Sequence, residues 1–145
     1  MIDKLDFYHG AALARAIDHD DCQSIRKLDS GYLVNDRTLA FIKYTTKGRS
    51  PWQFTFSDEE IARIRHLPNG VKGVVLALVC GGDGICAIPA KLAIALLNGS
   101  AGSISVTRKF RGWYGVSGPV GRLVRKVALN QWPEIAFQEE EGSDE

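Results

Sequence analysis

Three cations and three aromatic rings fall within seven residues, Arg108-Lys109-Phe110-Arg111-Gly112-Trp113-Tyr114. The theme recurs in Lys43-Tyr44 and Lys47-Gly48-Arg49-Ser50-Pro51-Trp52. Cations neutralise phosphates, and exposed rings or guanidinium planes stack on unpaired bases. Lys43, Lys47, Arg49, Arg108, Lys109 and Arg111 are therefore the candidate nucleic-acid contacts, to DNA or RNA, made to phosphates more than to base edges. Strand alternation bears on the rings. In a strand over 103–111, Ile104, Val106, Arg108 and Phe110 share one face while Ser105, Thr107, Lys109 and Arg111 share the other. That pattern draws Phe110 and Trp113 partly into the core and leaves the cations outside. A solvated hairpin face and a protein-partner surface are the other readings of the same residues.

Other chemistry is thinly represented. The densest ligand run, Asp18-His19-Asp20-Asp21-Cys22, reads as well as a polar helix end and turn as it does as a metal site. Cys22, Cys80 and Cys86 lack the spacing of a zinc site, and the last two lie in apolar runs as small core hydrophobes. Gly81-Gly82-Asp83-Gly84 falls between two strands, without the lysine of a phosphate loop or the third glycine of a dinucleotide fingerprint, so it reads as a hairpin turn. No nucleophile elbow or HExxH pair is present. No metal and no cofactor is called for by these residues.

The elements that would position the candidates follow from periodicity. Residues 3–18 form an amphipathic helix with Leu5, Tyr8, Ala12 and Ala16 on one stripe. Period-two runs follow at 24–28, 32–34, 38–45 and 52–56, punctuated by turn residues. Ser57-Asp58-Glu59-Glu60 is a capping box that opens a short helix carrying Ile61, Ile64 and Leu67 inward until Pro68-Asn69-Gly70. Val74 to Val79 is a continuous apolar run, the pattern of a central strand covered on both faces. After the glycine turn, Ile85 to Ile88 is a strand, and Pro89 starts a helix that ends at Asn98-Gly99. Strands at 103–109, 113–116 and 123–127 and a closing segment at 130–137 complete the chain. The order predicts an α/β or α+β fold with a mixed, largely antiparallel sheet flanked by about three helices. It predicts one globular domain over 1–137 and an acidic, disordered tail over 138–145.

Helix, antiparallel hairpin, a strand carrying Phe41-Ile42-Lys43-Tyr44, a helix and an apolar strand resemble the core of the restriction-endonuclease-like nucleases. The resemblance covers roughly residues 5–80. It implies Asp29 or Asp36 as the first acid of the family's motif and Lys43 as its lysine, with two carboxylates holding Mg²⁺ or Mn²⁺ and the lysine acting on the attacking water. Phe41 stands where the second acid should be, and a phenylalanine ligates no metal. The implied core is degenerate and non-catalytic unless a carboxylate has migrated from elsewhere, with Gln53 or Asp58 as substitutes. Residues 44–56, the Leu78-Val79-Cys80-Gly81-Gly82-Asp83-Gly84 stretch and the Trp113-Tyr114-Gly115-Val116-Ser117-Gly118 stretch also resemble a bacterial hypothetical-protein family, which implies no mechanism.

Bulk charge hides an asymmetry. The formal net charge of the 145 residues is +1, yet residues 84–133 hold seven Lys or Arg and no acid, and residues 139–145 hold five acids and no base. A basic module beside an acidic tail suits a polyanionic partner, with the tail as its competitor. At 45% hydrophobic and 24% charged residues the bulk of the chain is globular rather than disordered. No apolar run is long enough to span a bilayer, and the first ten residues lack the basic and apolar regions of a signal peptide, so a cytoplasmic protein of bacterial or phage type is expected. The sequence thus predicts a nucleic-acid-binding module with a degenerate nuclease-like core. A divalent-metal endonuclease with a migrated carboxylate is the alternative. A third reading is an interaction subunit or homo-oligomer with Trp52, Trp113 and Trp132 at its interface.

Overall fold

The computed structural model describes residues 1–29 and 31–138. The elements are α1 (Lys4–Ile17), β1 (Ile25–Leu28), β2 (Gly31–Val34), β3 (Thr38–Thr45), β4 (Trp52–Phe56), α2 (Asp58–Arg65), β5 (Gly73–Cys80), β6 (Gly84–Pro89), α3 (Ala90–Leu96), β7 (Gly102–Arg108), β8 (Tyr114–Gly118), β9 (Gly121–Arg122) and α4 (Gln131–Phe137). This is the mixed α/β class that the element order predicts, with mostly antiparallel strand pairs. The strands divide between two sheets, ordered β1-β2-β3-β5-β6 and β4-β7-β8-β9. Among the described residues one ladder is parallel, β3 against β5, from Thr38↔Gly73 to Thr45↔Cys80.

The period-two pattern explains how one sheet serves two cores. Leu76, Leu78 and Cys80 of β5 enter a cluster with Trp52, Phe54 and Phe56 of β4, Ile61 and Ile64 of α2, and Ile104 and Val106 of β7. The alternate residues Val75, Ala77 and Val79 enter a second cluster with Ala12 and Ala16 of α1 and Trp132, Ile135 and Ala136 of α4. Both faces of β5 are therefore dry, as its unbroken apolar run requires. The middle position in the sheet, however, goes to β3.

Helix starts follow their caps. Asp3 accepts from the Asp6 amide and the Asp6 carboxylate from the Asp3 amide, a reciprocal box at α1. Ser57 and Glu60 form the same box at α2.

Several expectations are corrected. Leu5 is exposed although it shares the α1 stripe with buried Ala12 and Ala16, because it lines an open cavity beside Phe41 and Lys43 instead of entering the core. Leu67 lies beyond the last turn of α2 and is exposed. Residues 123–127 form no strand. They keep one isolated bridge, Val127 to Tyr114, after the two-residue β9. The closing segment is a fourth helix, α4, seated by Trp132, whose indole Nε1 donates to the Ala12 carbonyl at 3.0 Å. Trp52 and Trp132 are both buried, so neither offers a partner surface. The expected acidic tail falls, from residue 139 on, outside the described residues. No helix among the described residues is long and apolar enough to cross a membrane.

Candidate nucleic-acid interface

Two turns meet at one end of the molecule. The β3–β4 turn is pinned by Trp52, whose indole donates to the Lys47 carbonyl at 2.9 Å. The β7–β8 turn is tied to it by the Arg108 amide, which donates to Ser50 Oγ at 3.0 Å. Between them lies an open hollow lined by Gly48, Arg49, Asp83, Lys109, Phe110 and Arg111, among others. Sequence separation hides this pairing, which arises because β4 is hydrogen-bonded to β7 from Trp52↔Val106 to Phe56↔Gly102.

The rings correct the alternation argument. Strand β7 ends at Arg108, so Phe110 belongs to the turn, where period two no longer applies. Phe110 is 89% exposed and Trp113 54% exposed. Arg111 takes a left-handed backbone (φ 62°) and lays its guanidinium 5.1 Å from the centroid of the Phe110 ring. The Gly112 amide closes the turn on the Lys109 carbonyl at 2.8 Å.

The six candidate cations separate into two groups. Arg108 is committed to structure: its Nη1 donates to Asp83 Oδ1 at 2.8 Å and its Nε to the Gly112 carbonyl at 2.7 Å. Lys43 is bound to Glu60, and the Lys47 ammonium donates to the Pro51 carbonyl at 2.9 Å. Arg49, Lys109 and Arg111 are exposed and have no ion-pair partner among the described residues. Exposed Arg122, Arg125 and Lys126 extend the positive surface along the edge beside β8, since residues 122–127 run antiparallel to Tyr114–Ser117. Periodicity puts Arg125 and Lys126 on a strand over 123–127 but does not tie that segment to the β7–β8 turn. The Arg122–Ser117 pairing starts this run beside β8, and the Tyr114–Val127 bridge ends it at the turn.

The residues implied by the nuclease resemblance sit elsewhere, and the structure brings together Asp29 and Lys43 but not Asp36. Phe41 and Lys43 share the face of β3 that looks toward β4 and α2. There Lys43 Nζ donates to Glu60 Oε2 at 2.6 Å and lies 4.8 Å from the Phe56 ring centroid. Phe41 packs against the core cluster. Asp29, Phe41, Lys43 and Glu60 line one cavity of about 450 Å³, together with His9 and Lys27. Asp36 does not reach it. It lies in the β2–β3 turn, at the opposite end of β3, and accepts from Arg26 Nε at 2.9 Å.

Glu60 is the partner of Lys43 that sequence reasoning missed, because seventeen residues separate them and the capping box already explains the glutamate. Both its oxygens are engaged, Oε1 by the Ser57 amide at 2.9 Å and Oε2 by Lys43. Burial works to raise the Glu60 carboxyl, but the bond and charge of Lys43 and the bonds from Ser57 outweigh it and hold it below the ordinary value. Burial, then the charge of Lys27, lowers the His9 pKa against the smaller pull of Asp6, which favours a neutral imidazole. Nδ1 of that ring lies 3.0 Å from the Tyr32 hydroxyl.

This donor set does not fit Mg²⁺ or Mn²⁺. Glu60 is consumed by its cap and its lysine, Asp29 stands without a second open carboxylate, and no three His, Cys, Asp or Glu among the described residues group as metal ligands. Compared with known proteins, the chain matches no protein-family model, no curated protein and no solved structure.

Proposed function

We propose that the chain is a nucleic-acid-binding module that grips phosphates with Arg49, Lys109 and Arg111 and stacks Phe110 and Trp113 on unpaired bases. The observation that carries this reading is Phe110, a ring almost wholly in water at the tip of a turn with a cation on each side. Leaving a phenylalanine exposed forgoes about 1.5–3 kcal/mol of burial. A stacking platform flanked by phosphate-binding cations recovers that energy on binding. The order α1, a three-strand meander, then, after β4 has left for the second sheet, α2 and β5 parallel to β3 supports the restriction-endonuclease-like resemblance. Within that core Phe41 and the closed Lys43–Glu60 pair favour binding without cleavage.

The test is fluorescence anisotropy of a labelled single strand and the matching duplex over a salt series. The single strand should bind more tightly, and the logarithm of its affinity should fall with the logarithm of salt at a slope of about −2, as three phosphate contacts require. A flat salt response, or no binding at low salt, overturns the reading. Plasmid incubated with magnesium or manganese should remain uncut, and cleavage that is lost in Lys43→Ala would reinstate the endonuclease alternative.

A further inference from the structure

At the other end of the β3–β5 pair lies a second cationic hollow that nucleic-acid binding by the turns does not use. It measures about 550 Å³ and is lined by Arg37 and Thr38 at the start of β3, Lys72 just before β5, Lys91 on α3, and Gln131 and Gln138 on and after α4. Among the described residues no carboxylate lines it, and none of the three cations has an ion-pair partner there. One backbone bond holds the chain together at two of these residues, the Lys72 amide donating to the Arg37 carbonyl at 2.8 Å. Three positive charges converging on one concavity repel one another, and a bound anion relieves that cost.

The chain itself carries one nearby in sequence. Arg37 Nη2 donates to the Gln138 carbonyl at 3.0 Å, which fixes the end of the described chain at the mouth of the hollow. The next residues are Glu139, Glu140 and Glu141, and Asp144 and Glu145 follow. We propose that this hollow is an anion site whose occupant is the acidic segment 139–145 of the same chain. An extended chain covers about 3.3 Å per residue, so three residues reach on the order of 10 Å inward from Gln138. Tethering at that point gives the carboxylates an effective concentration in about the millimolar range, against which a free small anion competes poorly. Three cations meet three consecutive glutamates there, and the segment's charge is held far from Arg49, Lys109 and Arg111 at the opposite end of β3 and β5.

Zero-length carbodiimide coupling of the intact chain, read by mass spectrometry, tests this. The pair Lys43–Glu60, at 2.6 Å, is a built-in control that reports a folded chain and an effective reagent. Coupling is expected between Lys72 or Lys91 and one of Glu139, Glu140 and Glu141, and tripolyphosphate in excess should suppress it. Arg37→Ala, which removes no coupling amine, should lower that yield several-fold with the control unchanged. The proposal is overturned if the control couples while the segment couples to Lys47 or Lys109, or to no lysine. It is equally overturned if mixed light and heavy chains show the couplings to be between copies, or if Arg37→Ala leaves the yield as it was.

Discussion

Asp83 and Arg108 join the two sheets through one carboxylate. Oδ1 of Asp83, on the β5–β6 turn, accepts from Arg108 Nη1 at 2.8 Å, and Oδ2 accepts from the Tyr114 hydroxyl at 2.8 Å. The two charged side chains are only 24% and 22% exposed. Burial, followed by the bond to Asp83, raises the Tyr114 phenol far above its ordinary range, so it stays a donor at every working pH. Asp83→Ala leaves a part-buried guanidinium without its counter-charge and a part-buried hydroxyl without its acceptor, and should cost about 2 kcal/mol in urea unfolding. A loss within experimental error would show the contact to be ornamental. Because Arg108 also donates to the Gly112 carbonyl, the same variant should loosen the turn that presents Phe110.

Affinity for single strands should track the ring and the open cations separately. Phe110→Ala removes one stacking platform and should weaken binding by roughly tenfold, on the scale of 1–3 kcal/mol per stacked base, with the salt slope intact. Arg111→Ala should instead reduce the slope by about 0.7. Both side chains are exposed, so thermal melting should stay within about 0.5 kcal/mol of the parent. Arg108→Ala, by contrast, should lose stability together with affinity.

The Lys43–Glu60 pair should shape the acid limb of stability. Its folded carboxyl titrates below 4.5, the value it would have when free, so the ionised form contributes stability above that range and loses it as pH falls through the lowered pKa. Glu60→Gln should flatten the decline in unfolding free energy below about pH 4.5. At neutral pH the same change should cost at most about 1 kcal/mol, because the pair is partly solvated. An unchanged acid limb would show that the two groups are coupled too weakly to matter.

Thiol chemistry should be confined to one cysteine. Burial first, then the charge of Asp83, pushes Cys80 up to about 12, and burial raises Cys86 well above its ordinary value. Cys22 is partly exposed. Iodoacetamide at mildly alkaline pH should add one label to the native chain and three after denaturation. Labelling of Cys80 at the rate of Cys22 would indicate frequent opening of the β5–β6 hairpin.

Local signals were legible where chemistry is local. The capping box at Ser57, the apolar run of β5 and the glycine turn before β6 each answer to their own few residues, and their elements stand close to where the pattern puts them. The split into two sheets was not legible, because Trp52-Gln53-Phe54-Thr55-Phe56 carries the same alternation whichever sheet it joins. Phe110 was misplaced by continuing β7 two residues past Arg108, where the left-handed Arg111 and the Gly112 bond turn the chain. Nor does spacing alone tell a cation facing water from one already spent. Arg108 and Arg111 are three residues apart, and only the distant Asp83 separates their fates.

Strand β4 leaves the first sheet after β3, supplies an outer strand to the second by pairing with β7, and the chain then returns through α2 to β5. The two halves of the polypeptide are thereby interlocked. A fragment stopping before β7 would strand Phe54 and Phe56 without the cover of Ile104 and Val106, and one beginning after α3 would lack the strand on which β7 is built. Neither cut yields two self-sufficient pieces, so the turn carrying Phe110 owes its shape to strands drawn from both halves of the chain.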